Sequence, residues 1–354
     1  MTRGLPSPRG LVPLLLGMLA LSGECNDTLV RAAGGGIVPI KSSDIRMVKE
    51  RLEISTQRVK VNYVFLSDAG EDATETLAFP MPEYPAVFGI SGSDTVRPLE
   101  DFATRVEGSP VASRRVRLAK LGERDITVEL RSLGLSEQEI FGGSGACRYG
   151  PSAAGSQEFK CHYTPAQKRK LEQLCDGCSG APGWKISETL YWTQTFPARK
   201  PLHVAHEYAA KAGAYFHSRV DAWSVRDELA ADRELVGNAC IDEGFLASAA
   251  RVATKGLVKS TAPRDYTSVD INIQSVEYVL GTGKNWKGPI EDFELVILKD
   301  RPEQLVSVCF PGKAVRAGPR QISFRHSDFM PQDRLLIYFV DADWDLQQQR
   351  PVVR

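Results

Sequence analysis

His203 and His206 are the first side chains in this sequence whose spacing suggests metal chemistry. On a helix an H-x-x-H pair would share one face. Here Leu202, Val204 and Tyr208 alternate with His203, Ala205 and Glu207, which is strand patterning. Residues three apart on a strand point to opposite faces, so the two imidazoles cannot hold one ion together. Glu207 follows His206, but Ala210 stands where the second histidine of an H-E-x-x-H zinc site belongs. His206 is expected on the apolar face with Val204 and Tyr208, and His203 on the other.

The cysteines offer a second constellation. Cys175-Asp176-Gly177-Cys178 is a C-x-x-C motif, and Cys147, Cys161 and His162 lie upstream. Thiolates and imidazoles are the usual zinc ligands, so Cys147, Cys161, Cys175 and Cys178 form an alternative metal site. A redox pair is less suited to this position. Thiol oxidoreductases set the motif at a helix start, where the dipole lowers the thiol pKa, whereas this one follows a helix end. Structural disulfides are the leading reading, with Cys147, Cys161, Cys175, Cys178, Cys240 and Cys309 as candidates. The helix from Pro165 to Cys175 is about 16 Å long. A direct Cys161–Cys175 bond would therefore require the loop to double back, and the connectivity within Cys147–Cys178 stays open.

Other motifs dissolve on inspection. Gly281-Thr282-Gly283-Lys284 hints at a phosphate loop, but Asn285 replaces the Ser or Thr and Tyr278 occupies the first glycine position. It reads as a turn between strands. Asp341, Asp343 and Asp345 alternate like half a calcium loop, yet Leu346 stands where glycine is required. They read as a solvated chain end. Gly142-Gly143-Ser144-Gly145-Ala146 is the nearest approach to a nucleophile elbow and ends in alanine. No residue is assigned a catalytic or cofactor-binding role, and no cofactor is expected.

Composition and the amino terminus bound the setting. The chain has 354 residues, with 44 basic and 44 acidic side chains and a formal charge of +0. That balance argues against a nucleic-acid partner. Arg3 and Arg9, the apolar run Leu11–Leu21, and the small residues Ser22, Gly23 and Cys25 have the three-part layout of a secretory signal peptide. Cleavage before Asn26 leaves six cysteines, an even number suited to an oxidising compartment. Lipidation at Cys25 is the alternative, spoiled by Glu24 between Leu-Ser-Gly and the cysteine. No later apolar run reaches the ~20 residues that span a bilayer, so no transmembrane segment is expected in the mature chain. Periplasmic or secreted localisation follows.

The elements that must position these residues are mostly strands. Leu52 and Ile54, then Val59, Val61, Tyr63 and Phe65, then Leu77 and Phe79, suggest a three-strand meander ended by Pro80 and Pro82. Residues 102–118 suggest a hairpin through Gly108-Ser109-Pro110. Asp125 is placed to cap a helix with Ile126, Leu130 and Leu133, and Ser136 with Glu139 has capping-box spacing. Thr164, Pro165 and Gln167 give the same signature for a helix running to Cys175. Leu190–Phe196, Val269–Leu280, Phe293–Leu298, Leu305–Cys309, Gln321–Phe324 and Leu335–Val340 read as strands. Asp242 should cap a helix over 242–255, closed by Gly256. The expected organisation is a signal peptide (1–25), an N-terminal β domain (26–141), a Cys-rich insertion or hinge (142–183) and a C-terminal β-sandwich domain (184–354). The fold class is mainly β (α+β), with two antiparallel sandwich-like domains, a few short helices and a disulfide-stapled insertion.

Several segments together resemble a known bacterial family. They are Asn26-Asp27 with Gly34–Gly36, LEIS at Leu52–Ser55, VNYVF at Val61–Phe65 and LAFPMP at Leu77–Pro82. Further on come YWTQTFPA at Tyr191–Ala198, CIDEGF at Cys240–Phe245 and NWKGPIEDFELVI at Asn285–Ile297. The chain is similar to the exported domain-of-unknown-function family of serial number four-four-two-four in Gram-negative bacteria. The resemblance spans most of the mature chain and implies secretion and a β-rich fold, but no reaction. The stretch Cys147–Cys178 departs from the family pattern. In the last matched segment, Trp286 should close the end of a sandwich while Phe293, Leu295 and Ile297 enter the core. Cys240 opens a helix and Cys309 ends a strand, so a bond between them would clamp helix to sheet.

The expected function is an exported periplasmic binding or envelope-structural module without catalysis. Its partner would be a protein or another envelope component. The alternative is a metal-dependent or hydrolytic envelope enzyme using the Cys147–Cys178 cluster.

Overall fold

The computed structural model describes residues 26–33, 36–86, 101–142, 147–151, 157–210, 212–221, 224–259, 268–331 and 334–343. The expected signal peptide with Cys25, residues 143–146 of the glycine-rich loop, and Asp345 lie outside the described residues. The N-terminal strands are β1 (Thr28–Ala33), β2 (Gly36–Ile40), β3 (Ile45–Ile54), β4 (Arg58–Ser67), β5 (Ala73–Pro80) and β6 (Tyr84–Pro85). Then come β7 (Ala103–Val106), β8 (Ser109–Val111), β9 (Arg114–Leu121) and β10 (Arg124–Asp125). Helices α1 (Thr127–Ser132) and α2 (Glu137–Phe141) lead to the hairpin of β11 (Cys147–Pro151) and β12 (Gln157–Cys161), and to α3 (Pro165–Leu174). Next are β13 (Lys185–Phe196), β14 (Pro201–Ala209) and β15 (Ala212–Asp221), followed by α4 (Val225–Ala231), α5 (Arg233–Ala239) and α6 (Glu243–Lys259). The chain closes with β16 (Ser268–Val279), a 3-10 turn at Gly281–Asn285, β17 (Ile290–Leu298), β18 (Leu305–Val308), β19 (Val315–Arg316), β20 (Gln321–Phe329) and β21 (Arg334–Asp343).

The fold is β-rich α+β. Three larger sheets carry it, with strand orders β10-β9-β13-β5-β1-β2, β19-β20-β17-β3-β4-β14-β7-β8, and β15-β16-β21-β18; β6 adds to β13. Among the strands of the described residues pairing is antiparallel except for β3 and β17, which run parallel with Leu52 opposite Leu295. Both large sheets take strands from each side of 142–183, so residues 26–141 and 184–354 share sheets rather than each closing one. The meander is also rearranged. β3 and β4 form a hairpin, but β5 crosses to pair with β13 in the other sheet. The apolar face of each strand decides this. Val61, Tyr63 and Phe65 face Leu77, Phe79 and Trp192 across one continuous core, which burial against a second layer requires.

That core draws on all three sheets. Phe293, Leu295 and Ile297 are fully buried in it, as is Trp286. The third sheet uses both faces. Val276, Tyr278, Ile337 and Phe339 enter the main core, while Ile271, Ile273, Tyr338 and Val340 meet α4, α5 and α6. Sequence patterning had not suggested α4 and α5. Asp242 caps α6 through Phe245 N at 2.7 Å, but the helix runs past Gly256 to Lys259. An interior glycine costs about 1 kcal/mol, which lowers helicity without ending it. The exposed face of the second sheet is laced with ion pairs, among them Arg46–Glu291, Arg51–Glu294 and Arg325–Glu294.

A third core holds the Cys-rich region. α1, α2, α3, β9 and β13 meet around Trp184, Phe141 and Leu171. Both expected capping boxes are present, at Ser136/Glu139 and Thr164/Gln167, the latter with Pro165 in the first turn. Asp125 serves α1 differently. Its carboxylate accepts from Thr127 N at 2.9 Å, while Ile126 occupies the cap position.

Among the described residues there are three disulfides: Cys147–Cys161 across the β11–β12 hairpin, Cys175–Cys178 after α3, and Cys240–Cys309. The last joins the end of α5 to the end of β18, 69 residues apart. Ser307 reinforces the joint by donating to Ala239 O at 2.7 Å. Paired replacement of Cys240 and Cys309 by alanine should lower unfolding stability by about 2–4 kcal/mol through the released loop. Denaturant titration followed by circular dichroism measures it; an unchanged midpoint would show that the bond contributes nothing.

Candidate functional site

The most unusual chemistry lies inside the protein. Asn26, Asp27 and Thr28 are fully buried although all are polar. They lead into β1, which joins the first sheet beside β5. A buried polar group must be hydrogen-bonded or its desolvation is uncompensated. The surrounding strands supply the partners. Tyr63 OH donates to Asn26 Oδ1, which also accepts from Asp27 N at 2.9 Å. Asn26 Nδ2 donates to Glu50, 3.3 and 3.2 Å from its two oxygens. Tyr278 OH lies 3.2 Å from Tyr63 OH.

The 3-10 turn after β16 completes the cage. Thr282 Oγ1 donates to Asn26 O at 2.6 Å, Trp286 Nε1 to Asp27 O at 2.9 Å, and Asn285 Nδ2 to Thr28 Oγ1 at 3.0 Å. Gly283 is required here by space. A Cβ on it would lie 2.7 Å from Pro331 Cγ and 3.3 Å from Asn26 Nδ2. The Gly-Thr-Gly-Lys segment is thus neither a phosphate loop nor a simple surface turn; it is a buried clamp on the head of β1.

Asp27 faces His206. Nε2 lies 2.9 Å from Oδ1 and 3.1 Å from Oδ2. The other ring nitrogen, Nδ1, lies 3.1 Å from Thr104 Oγ1 on β7. A hydroxyl, an imidazole and a carboxylate in line are the groups of an acid–base relay, but the two nitrogens are exchanged relative to the Ser-His-Asp arrangement. Aromatic rings enclose the imidazole: Phe79 and Phe102 at 5.0 Å, Trp192 at 5.1 Å and Tyr63 at 5.9 Å between centroids. Asp27, His206 and Thr104 are 0%, 1% and 3% exposed. No substrate reaches them in this conformation.

Burial also sets the electrostatics. Desolvation pushes the Asp27 carboxyl up, opposed by the adjacent His206. The Glu50 carboxyl is pushed up to about 8, first by burial and then by the Asp27 charge, against the Asn26 hydrogen bond. Tyr63 is raised well above the usual phenol range by burial and then by Asp27 and Glu50, and Tyr278 by burial and then by Tyr63 and Glu50.

Glu50 points inward because of a bulge. Met47 pairs with Phe65 and Lys49 with Val64, so Val48 is an extra residue and the alternation shifts by one. The signal lies in the sequence: Ile45 and Met47 are odd-numbered, Leu52 and Ile54 even-numbered. A parity change within one strand marks a bulge and aims the intervening glutamate at the core. Sequence reasoning missed this, and missed Asp27 and Thr104 because their partners lie far along the chain.

The two histidines divide as their strand implies. His203 is exposed and lies 3.2 Å from Glu107, while His206 is buried. Cys147, Cys161, Cys175 and Cys178 stand as two disulfides, which leaves no free thiolate among them for zinc. Among the described residues no group of three His, Cys, Asp or Glu side chains is placed to hold a metal ion. Asp341 is not part of a solvated tail. It sits on β21, accepting from Arg301 Nε at 2.9 Å and Gln304 Nε2 at 2.8 Å.

One cleft opens to solvent where the three sheets meet. It has a volume of about 160 Å³ and is lined by Met81, Glu83, Tyr208, Ser275, Glu277 and Leu336, among others. Each glutamate has a cation beside it. Glu83 meets Lys120 Nζ at 2.7 Å, and Glu277 meets Arg334 at 3.3 Å.

Comparison with known proteins agrees with the family reading. The model of a family described as a domain of unknown function, DUF4424, matches residues 25–338, and the chain belongs to that family. No curated protein matches it. Among solved structures it is similar to a candidate nutrient binding protein from Legionella pneumophila, at 14% identity and a TM-score of 0.41, covering 90% of this chain and 71% of that one. It is also similar to an M1 zinc metallopeptidase from Deinococcus radiodurans, at 6% identity and a TM-score of 0.22, covering 85% and 43%. At these scores neither resemblance transfers a function.

Three substitutions test the cage. His206→Ala strands the Asp27 carboxylate and should cost about 3–5 kcal/mol of unfolding free energy, whereas Thr104→Val should cost about 1–2 kcal/mol. Gly283→Ala should cost about 1–3 kcal/mol through overpacking against Pro331 and Asn26. Equilibrium denaturation reads all three, and a His206→Ala protein as stable as wild type would sink the assignment of the buried pair.

Proposed function

We propose that this family member is an exported, non-catalytic binding or envelope-structural module. The observation that carries the reading is the sealing of Asp27, His206 and Thr104. The set best equipped for proton transfer holds β1, β7 and β14 together inside the protein and faces no solvent. The disulfides fit an oxidising compartment. No helix of the described residues is long and apolar enough to cross a membrane.

The cleft between the sheets is the proposed contact point. At about 160 Å³ it is smaller than the roughly 300–1,000 Å³ of ordinary small-molecule sites. It suits one protruding side chain or a small group of a protein or envelope partner. Its floor of Val59, Val276 and Leu336 is apolar, and Glu83 and Glu277 give the rim two acceptors.

Fractionation by osmotic shock and intact mass under non-reducing conditions test the setting. The protein should be released with the periplasm, with a mass beginning at Asn26 and no thiol open to alkylation. A cytosolic protein with six alkylated cysteines would overturn the reading. For the contact point, a photo-crosslinking residue at Glu277 should capture an envelope partner in intact cells, while one at Arg131 on α1 should not. Equal capture at both positions, or at neither, removes the cleft from the proposal.

A further inference from the structure

Among the described residues Glu50 is a fully buried carboxyl with no cation beside it. Asp27 has His206 beside it, and Glu188 has Arg115 at 3.0 Å. Glu50 is 0% exposed, and its polar contact among the described residues is the neutral amide of Asn26. A neutral donor compensates a buried carboxylate poorly. The residue supplying that donor is the one expected to become the first of the mature chain. Within one asparagine the α-nitrogen and Nδ2 lie about 3–4.5 Å apart, so a charge on the α-nitrogen would lie within about 8 Å of the Glu50 carboxyl.

We propose that hydrolysis of the Cys25–Asn26 bond during export creates an α-ammonium at Asn26 that pairs with Glu50 inside the core, locking the head of β1 in place. The inference rests on the export reading above. In the step, a signal-peptidase-type hydrolase adds the hydroxyl of water to the Cys25 carbonyl carbon. The C–N bond breaks, and the Asn26 nitrogen takes the remaining proton. The new amine takes a further proton from the Glu50 carboxylic acid or from solvent, leaving an ammonium–carboxylate pair.

The cut changes the sign of the pH response. With the peptide bond intact, Glu50 holds its proton up to about 8, against 4.5 for the ordinary side chain. The folded state then binds the proton more tightly than the unfolded one, and stability falls as pH rises between those values. An ammonium opposite Glu50 pulls its carboxyl down and removes that fall. The other ionisable groups facing the site are Asp27, His206, Tyr63 and Tyr278, and they are common to both forms. A comparison of the two forms therefore isolates the new terminus.

The exported protein, sequenced to begin at Asn26, should be compared with a chain carrying one extra alanine before Asn26. The melting temperature is followed from about pH 5 to 8, with mapped labelling of the α-amine by an amine-reactive ester. In the exported chain the folded α-amine should label at least about ten-fold more slowly than in the unfolded chain, equivalent to a pKa one unit higher. Its melting temperature should hold across the range while that of the alanine-extended chain falls. Glu50→Gln should abolish the difference between the two chains. If that variant fails to fold, the wild-type labelling decides. An α-amine that labels at the unfolded rate, or two chains with the same pH profile, overturns the pairing while leaving export standing. A protein that keeps residues 1–25 overturns both.

Discussion

The structure depends on satisfying one buried polar dipeptide. Asn26 and Asp27 bring two side chains and their backbone groups into a site closed to bulk solvent. The direct partners come from β3, β4, β14 and the turn after β16, and β7 and β16 hold two of those partners through Thr104 on His206 and Tyr278 beside Tyr63. Each partner is itself held by the strand that carries it, so the cage forms only when both large sheets and the third sheet are in register. An unsatisfied buried group costs about 1–3 kcal/mol, and more when charged. Half-assembled packings of these sheets therefore carry a penalty that the finished one does not. A wholly apolar core would hold the layers together with less discrimination among registers.

Much of the layout was legible because it is written in local patterns. Strand alternation located β3, β4, β13, β14 and the C-terminal strands, and the capping signatures at Ser136, Thr164 and Asp242 each mark a real helix start. The two faces of β14 follow directly from alternation, which separates His203 from His206. What failed was non-local. Nothing in β5 says that it leaves the hairpin it follows and pairs with Trp192 and its neighbours on β13. Nothing near Asp27 announces a histidine 179 residues away. The parity shift in β3 was readable in principle, since the alternation of Ile45 and Met47 is out of step with that of Leu52 and Ile54. Gly283 was not, because the close approach that demands glycine exists only in the assembled fold.

Around this cage the molecule uses different means in different places. The main core relies on aromatic packing, with Phe65 4.5 Å from Trp286 and Phe293 4.4 Å from Phe329 between centroids. The helical layer over the third sheet is small and is clamped by Cys240–Cys309. The Cys-rich region has its own compact core and two disulfides of short span, which restrain local geometry. Covalent links thus appear where apolar burial is thin, as expected for small structural units.

The parallel pairing of β3 with β17 shapes how the chain can come to exist. Lys49 lies opposite Asp292, so the middle of the largest sheet cannot close until nearly the whole polypeptide has been delivered. Contacts this distant in sequence make folding slow, because the loop must be brought together before the contact stabilises anything. Until then β3 and β17 each present an unpaired edge, and such edges invite association with other chains. Local hairpins such as β3–β4 can form early, but the sheet they belong to stays open until β17 arrives. The same delay leaves a long interval in which the bare edges of β3 and β17 are open to other chains.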